Sequence, residues 1–544
     1  MASANKTVVA LDRRYQKLHS KRSQWESHWQ ELADYMLPRK ADITKRRTQG
    51  DKRTELIYDS TAIHAVELLA SSLHGMLTSP SSPWFSMRYR DLELAENDRA
   101  NEWLEGCVQL INKEYQRSNF QQEIHELYYD LVVFGTGCLF VDFDDQGLRF
   151  STRHIAEICI SEDMNDRVDT VYRKFQLNAR QIAQRFGSDN LPDKVQKDLE
   201  KDPYNDHDII HVVYPREDKL GSSAIRKPVG SIYYHPESKM LLGEGGFDEL
   251  PFMVPRFNKD SVSIYGRSPA MSCLPDVKMV NKMSEVSIRA AQKQIDPPLM
   301  VPDDGFLLPV RTTPGALNFY RTGTRDRLEP LQAGATNPIG LSMEEQRRNA
   351  IRASFYVDQL QLQSGPQMTA TEVLQRNEEK MRLLGPVMGR LQSELLQQLK
   401  DRSCKLMLRN GKLTPPPEEL QGRDIDIEYV SPLAKAQKLT DLQSMMRGLE
   451  VLLQLGEALP VMDYIDDDGL VKYLVDVAGM PAKVIRSNEE VAALREQQAQ
   501  QQQMQAQQQQ EMMNAEQAQK AAPMLKVLAD ADARDTAAEA PPAA

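Results

Sequence analysis

Few residues in this chain are spaced for bond-making chemistry, and none completes a site. His207 and His211 stand four apart in a strand-like stretch. On a strand they would share a face at roughly 13 Å, too far to hold one metal ion. Asp466-Asp467-Asp468-Gly469 hints at a calcium loop. Taking Gly469 as the sixth position puts Tyr464 first and Val475 twelfth, where Asp and Glu are required. Gly135-Thr136-Gly137 lacks the third glycine and the following helix of a dinucleotide fingerprint. No phosphate loop of the GxxxxGK type, no HExxH and no GxSxG elbow occurs. The sequence therefore predicts no enzyme, no cofactor and no metal site.

The spacing that does stand out is charge along a helix. Tyr265-Gly266-Arg267-Ser268-Pro269 reads as a turn that launches a helix, which stops at Asp296-Pro297-Pro298. On a 100° wheel Val277, Val280, Ile288, Ala291 and Ile295 share one face. Lys278, Lys282, Arg289 and Lys293 share another. Such a helix can pack on one side and show positive charge on the other. On a lone helix the plainer reading is a solvated lysine face.

The elements that would position this helix follow from periodicity. Residues 9–37 read as a helix with a seam at Leu11, Tyr15, Leu18, Arg22, Trp25, Trp29, Leu32 and Met36, broken only by Arg22. A basic segment follows, with Arg39, Lys40, Lys45, Arg46, Arg47, Lys52 and Arg53. It is either a contact for DNA or an acidic partner or a solvated loop, and the loop is the preferred reading. Asp59-Ser60 is a cap for a helix with Ile63, Val66, Leu69, Leu73 and Leu77 on one face. Thr78 to Pro83 must break it, and Trp84 and Phe85 are expected to pin that loop to a core. Helices are predicted at 97–117 and 120–133.

From Gly137 the period shortens to two. Leu139–Phe143 and Leu148–Phe150 read as a hairpin, with strands near 168–176, 208–214, 230–235 and 252–257. A short helix at 178–186 is capped by Asn178 and ended by Gly187. Residues 296–339 read as a small irregular or β module and 340–358 as a returning helix. Between Gln359 and Met368, Ser364-Gly365-Pro366 favours a mobile loop. Leu374, Met381, Met388 and Leu395 recur every seven residues, so 371–410 reads as a helix of about 60 Å, kinked at Gly385-Pro386. After a strand-like stretch at 425–430, residues 433–488 read as a small helical domain. The remainder, dominated by glutamine over 497–519, is compatible with helix or disorder.

Three segments, in order, resemble the head-to-tail connector (portal) proteins of short-tailed bacteriophages. They are Leu77-Thr78-Ser79-Pro80 with Pro83-Trp84-Phe85, then Leu131 to Gly137, then Gly266 to Pro269 with the helix and Pro297-Pro298-Leu299-Met300-Val301-Pro302. The similarity runs from about residue 10 to about 490. The resemblance implies an α+β, mainly helical, portal-type fold with wing, stem, clip and crown, assembling as a ring with a central channel. It implies a wing over 1–270, helical over 1–136 and β-rich over 137–260, completed by 371–430 with its long kinked helix. It implies stem helices at 271–296 and 340–358, a clip at 297–339, a channel loop at 359–370 and a crown at 431–488. Residues 489–544, rich in glutamine and alanine, match no family motif and are candidates for disorder.

Site residues follow from the same resemblance. Lys278, Lys282, Arg289 and Lys293 would face the channel or a neighbour's carboxylates. Arg311, Arg321, Arg325 and Arg327 would be the clip's basic residues, and Gln363, Ser364, Gly365 and Pro366 the loop that narrows the channel. Implied partners are further copies of the chain, in a dodecamer, with major capsid and scaffolding proteins, the terminase large subunit, tail adaptors and passing double-stranded DNA. The implied location is the virion, at the capsid's portal vertex, after synthesis in the host bacterial cytoplasm.

Composition bounds these readings. A chain of 544 residues, 41% hydrophobic and 27% charged, can fill several cores. Its net charge of −11 argues against gripping nucleic acid over a broad surface but suits a duct that lets phosphates pass. No apolar run is long enough to cross a membrane, and no signal-peptide core follows Met1. Five scattered cysteines read as reduced, mostly buried thiols. Two rivals from other classes stand beside the portal reading: a virion scaffolding or adaptor protein that forms no channel, and a nuclease using scattered carboxylates.

Overall fold

The structure, a computed structural model, describes residues 2–45, 47–48, 50–80, 84–89, 98–188, 191–216, 227–300, 329–330, 338–360, 383–417, 425–426 and 488–535, with isolated positions 309, 317, 319, 442, 444–448, 450, 469–470 and 474. Arg311, Arg321, Arg325, Arg327, Gln363, Ser364, Gly365, Pro366 and most of 431–488 lie outside the described residues.

Helix α1 runs over Ala2–Met36. Its seam serves two cores. Val8, Leu11 and Tyr15 pack on a sheet through Tyr172, Ile210, Val212 and Tyr234. Trp29, Leu32 and Met36 belong to the main, largely helical core. Arg22, the polar break, lies between the two. It donates to the carbonyls of Ala156 at 2.8 Å and Ile158 at 2.9 Å. A guanidinium tolerates such burial only when its donors are used.

Helix α2 (Thr61–Leu77) buries Ala62, Val66, Leu69 and Leu73. Its first amide is capped by Asp59 Oδ1 at 2.9 Å, while the Ser60 side chain makes no cap bond. Helices α3 (Asp98–Arg117) and α4 (Phe120–Phe134) follow. Trp84 stacks on Tyr115 and Phe120, so the expected pin is present.

All ladders among the described residues are antiparallel. β1 (Arg88–Tyr89) is short. β2 (Leu139–Asp144) and β3 (Gly147–Thr152) form the predicted hairpin. β4 (Ile158–Glu162), β5 (Val168–Asn178), β6 (Asp206–Pro215), β7 (Val229–His235) and β8 (Met240–Phe247) form a five-stranded meander. β9 (Phe252–Met253) returns to β2. β10 (Leu299–Met300) pairs with β11 (Glu329–Pro330), and β12 (Ile425–Asp426) with β1. The two edge strands β4 and β8 were not expected from the sequence. β8 carries three glycines and almost no alternation, so the period-two signal is missing there.

Helices α5 (Ala179–Phe186) and α6 (Asp193–Lys201) sit between β5 and β6. α5 has the full capping box of Asn178 and Gln181. Helix α7 (Pro269–Ile295) and helix α8 (Pro338–Ser354) form a hairpin, and the single turn α9 (Val357–Leu360) follows. Helix α10 covers 383–409 among the described residues. Its backbone is helical through Gly385 and Pro386, and its irregular stretch is a π-turn at Gln392–Leu396. The glutamine-rich segment is helical, as α11 (Asn488–Asp535). The described residues are thus mainly helical with antiparallel sheets and contain no barrel.

Candidate functional site

Helix α7 is mounted at its root by two of the sequence motifs, which interlock. Ser268 caps it, accepting from the Met271 amide at 3.2 Å, and Pro269 follows at a position where no amide is needed. The Ser268 hydroxyl also donates to the Val133 carbonyl at 2.7 Å. Phe257 N donates to Gly135 O at 2.9 Å, and Gly266 N donates to Thr136 Oγ1 at 2.8 Å. Gly135 has φ +75°, and a Cβ there would stand 2.5 Å from the Gly266 oxygen. Only glycine fits that conformation and that approach. The segment Leu131–Gly137 is therefore the socket of α7, and Gly266–Pro269 its plug.

About four turns further along, a polar network holds α7 to α8 and to the segment before α2. Asn281 Oδ1 accepts from Tyr58 N at 2.7 Å and Asp59 N at 3.2 Å, while its Nδ2 donates to Leu56 O at 2.5 Å. Ser284 Oγ donates to Glu344 Oε1 at 2.6 Å, both side chains being buried. Arg348 joins Glu344 to Asp59, and Arg347 reaches Asp276 at 2.9 Å. Burial alone would push the Asp59 carboxyl up. Hydrogen bonds from Thr61 and Arg348 outweigh it and hold that group below the usual carboxylate range.

Beyond Ser284 the helix is uncovered. Val277 and Val280 of the predicted apolar stripe are buried, but Ile288 is 43% and Ile295 85% exposed. Val286, on another face, is 55% exposed. The basic stripe is interrupted by an acid. Lys278 pairs with Glu31 of α1 at 2.7 Å. Lys282 and Arg289 both pair with Glu285, at 2.8 and 2.6 Å. Lys293 has no ion pair among the described residues. The sequence reading did not single out Glu285, although its i,i+3 and i,i+4 relation to the cations was readable.

The basic segment after α1 is largely neutralised by its own fold. Arg39 pairs with Glu126, Lys40 with Asp130, Arg47 with Asp34 and Arg53 with Asp42. His207 and His211 do not converge. His207 lies 3.1 Å from Asp198, whereas His211 bonds Ser231 at 2.9 Å and stacks on Tyr233. Among the described residues no group of His, Cys, Asp or Glu is arranged to hold a metal ion. The five thiols are unpaired, and burial pushes those of Cys107, Cys138 and Cys273 up to about 12. What the geometry offers is mechanical: an interlocked mount and a two-helix arm whose α7 is exposed beyond Ser284.

A residue no sequence pattern pointed to lies behind the mount. Arg256 is 1% exposed. Its Nε donates to Glu394 Oε2 at 3.1 Å and its Nη2 to Glu394 Oε1 at 2.8 Å. Asparagine, serine and arginine contacts of this kind depend on partners far away in the chain, so no local signal announces them.

The sequence matches the family described as bacteriophage head to tail connecting protein over residues 9–485. It is 32% identical over 519 residues to the "Probable portal protein" of Bordetella phage BPP-1, covering 92% of each chain. It is 30% identical over 497 residues to the "Portal protein" of Salmonella phage epsilon15, covering 89% of each. A solved chain from the neck of an empty gene transfer agent particle overlaps 81% of this chain and 98% of its own, at 11% identity and a TM-score of 0.36. That last likeness is too distant to carry an argument.

Proposed function

This chain belongs to the bacteriophage head-to-tail connecting protein family and is a phage portal protein, and we propose that its copies close into a dodecameric ring at one capsid vertex. The family is structural rather than enzymatic, and the proposed action is mechanical. The ring gives DNA a passage during packaging and ejection, docks the terminase motor, and later seats tail adaptors. Its place is the virion, with capsid and scaffolding proteins around it.

The observation that carries the ring is the uncovered far half of α7. Ile288 and Ile295 continue a stripe that is buried nearer the root, yet they stay exposed and no packing partner covers them among the described residues. A closed cyclic ring has heterologous interfaces, so each copy can cover a neighbour's face with a different face of its own. In this reading α7 and α8 are the stem, residues 297–339 the clip and 431–488 the crown. Lys278, Lys282, Arg289 and Lys293 then recur as tiers of charge, facing the channel or a neighbour's carboxylates. Glu285 tempers the Lys282 and Arg289 tiers, which suits DNA that must slide rather than adhere, because every neutralised phosphate adds affinity. Arg311, Arg321, Arg325 and Arg327 at the clip and Gln363 to Pro366 in the channel loop rest on the family resemblance alone.

Negative-stain imaging with native mass tests the ring. Uniform rings with a central hole and a mass near twelve times 61.9 kDa are expected. A chain that stays monomeric or dimeric even with the phage's scaffolding protein would favour the non-channel adaptor instead. Reversing all four stripe cations to glutamate should leave the subunit folded and reduce packaging. Unchanged assembly and packaging would end the stripe's role.

A further inference from the structure

Arg256 is a point where three parts of the chain meet. Besides its two bonds to Glu394, its backbone amide donates to Glu394 Oε2 at 2.9 Å. Its Nη1 donates to Glu162, at the end of β4, and to the Ile264 carbonyl at 3.3 Å. Its Nη2 also donates to the Asp166 carbonyl at 3.0 Å. Lys259 stands 2.8 Å from Glu162 and 3.1 Å from Asp166. The guanidinium thus ties the β4–β5 turn, the loop that enters α7, and α10. The same residue forms the wall of the α7 socket. It bridges Thr136, and a Cβ on Gly266 would stand 2.9 Å from the Arg256 Cβ.

Glu394 lies inside the π-turn of α10. The buried residues Val387, Leu391, Leu395 and Leu399 recur every four positions. In a regular α-helix each step of four overshoots a full turn by about 40°, so such a row drifts off its face. The wider π-turn absorbs the drift, and Leu391, Leu395 and Leu399 all remain 0% exposed. It also sets the direction in which Glu394 leaves the helix. Arg390, Ser393, Gln397 and Asp401 line a cavity of about 700 Å³ on that polar side, while the apolar row packs into the main core on the other. The later part of α10 has separate anchors. Arg402 donates to Val141 O at 2.9 Å, and Arg409 pairs with Asp248 and Glu249.

We propose that the Arg256–Glu394 pair, aimed by the π-turn, couples α10 to the root of α7, so that a displacement of either helix is handed to the other. Separating the pair takes its two-point carboxylate partner from a guanidinium that is 2% exposed and leaves it only Glu162 and two carbonyls, so parting the two elements there is costly. This deepens the portal reading and rests on it for its use. There α7 is the stem, and the chain after α10 leads to the residues of the crown. The pair then carries mechanical state between the two ends of the ring.

Amide hydrogen exchange on the purified full-length protein tests the coupling, with imaging alongside to report the ring separately. Glu394→Gln is expected to raise exchange about tenfold at both 266–274 and 397–407. Arg409→Gln, which breaks an outer anchor of α10, should raise it only near the end of that helix. Deleting Gln392 removes the extra residue of the π-turn and turns Glu394 away, so it should loosen 266–274 as Glu394→Gln does. Should Glu394→Gln fail to fold, Glu394→Asp keeps the charge, cannot make both bonds, and gives the same readout. A rise confined to one turn around residue 394, or unchanged protection at 266–274 in both the Glu394 variant and the deletion, overturns the coupling. Loss of rings with intact coupling, or rings with no coupling, separates failure of the portal reading from failure of this one.

Discussion

Gly266→Ala is expected to destabilise the protein by about 3–5 kcal/mol, and the loss can be located bond by bond. The new methyl carbon would stand 2.3 Å from the Gly135 carbonyl oxygen, 2.9 Å from Arg256 Cβ and 3.1 Å from the Asn258 oxygen. The nearest of these is backbone, and it is held, because the Gly135 oxygen accepts from Phe257 N at 2.9 Å. Relief to 3.0 Å, the shortest real contact of this kind, requires the two segments to part by about 0.7 Å. Such a parting stretches the Phe257–Gly135 and Gly266–Thr136 hydrogen bonds, now 2.9 and 2.8 Å, to the limit of bonding or past it. Each then leaves buried polar groups unsatisfied at about 1–3 kcal/mol. Reduced freedom of the unfolded chain returns only about 0.4–1 kcal/mol. Tryptophan fluorescence during urea unfolding is the assay, since Tyr265 packs edge-on against Trp29 at 5.1 Å and reports the root directly. Gly389→Ala is the control: that glycine is helical with nothing within 4 Å, so alanine there should stabilise by about 0.5–1 kcal/mol. A Gly266→Ala midpoint equal to or above wild type would refute the reasoning, and so would equal losses from both substitutions.

Two further outcomes follow from the same geometry. Asn281→Ala removes three hydrogen bonds between α7 and the segment at 56–59 and should cost about 2–3 kcal/mol, whereas Lys278→Ala removes only an exposed pair with Glu31 and should cost under about 1 kcal/mol; thermal unfolding in the reverse order would contradict the network. His211 is buried, and burial first, then the charges of Arg185, Arg173 and Arg153, keep its pKa well below 6.5. Below pH 6.5 the unfolded chain takes up a proton there and the folded chain does not, so stability is lost as pH falls, by up to about 1.4 kcal/mol per unit from this side chain. His211→Gln, which can keep the bond to Ser231, should flatten the melting-temperature profile between pH 6.5 and 5.5, and an unaltered slope would rule the group out as a contributor.

Much of the fold was legible because its signals are local. The cap and stop of α5, the start of α7 at Ser268-Pro269 and the hairpin of β2 and β3 depend on residues a few positions apart. The seam of α1 was readable for the same reason, and the three motifs were enough to suggest the family. The β8 edge was not readable, since its glycines erase the alternation that marks a strand.

The sequence by itself determined most of the helices, though not α6 or the helical state of the glutamine-rich segment, and it determined where α7 begins and ends and that its faces differ in charge. Tertiary structure alone decided what those faces meet. It buried Arg22 under the Ala156 and Ile158 carbonyls, gave Lys278 to Glu31, and spent much of the basic segment on the fold's own acids. It brought Glu394 to Arg256 across 138 positions of sequence. Periodicity and capping act through neighbours within about one turn, so they are written along the chain. An ion pair or a backbone crossing between distant segments exists only after packing has brought them together, and neighbouring residues carry no record of it.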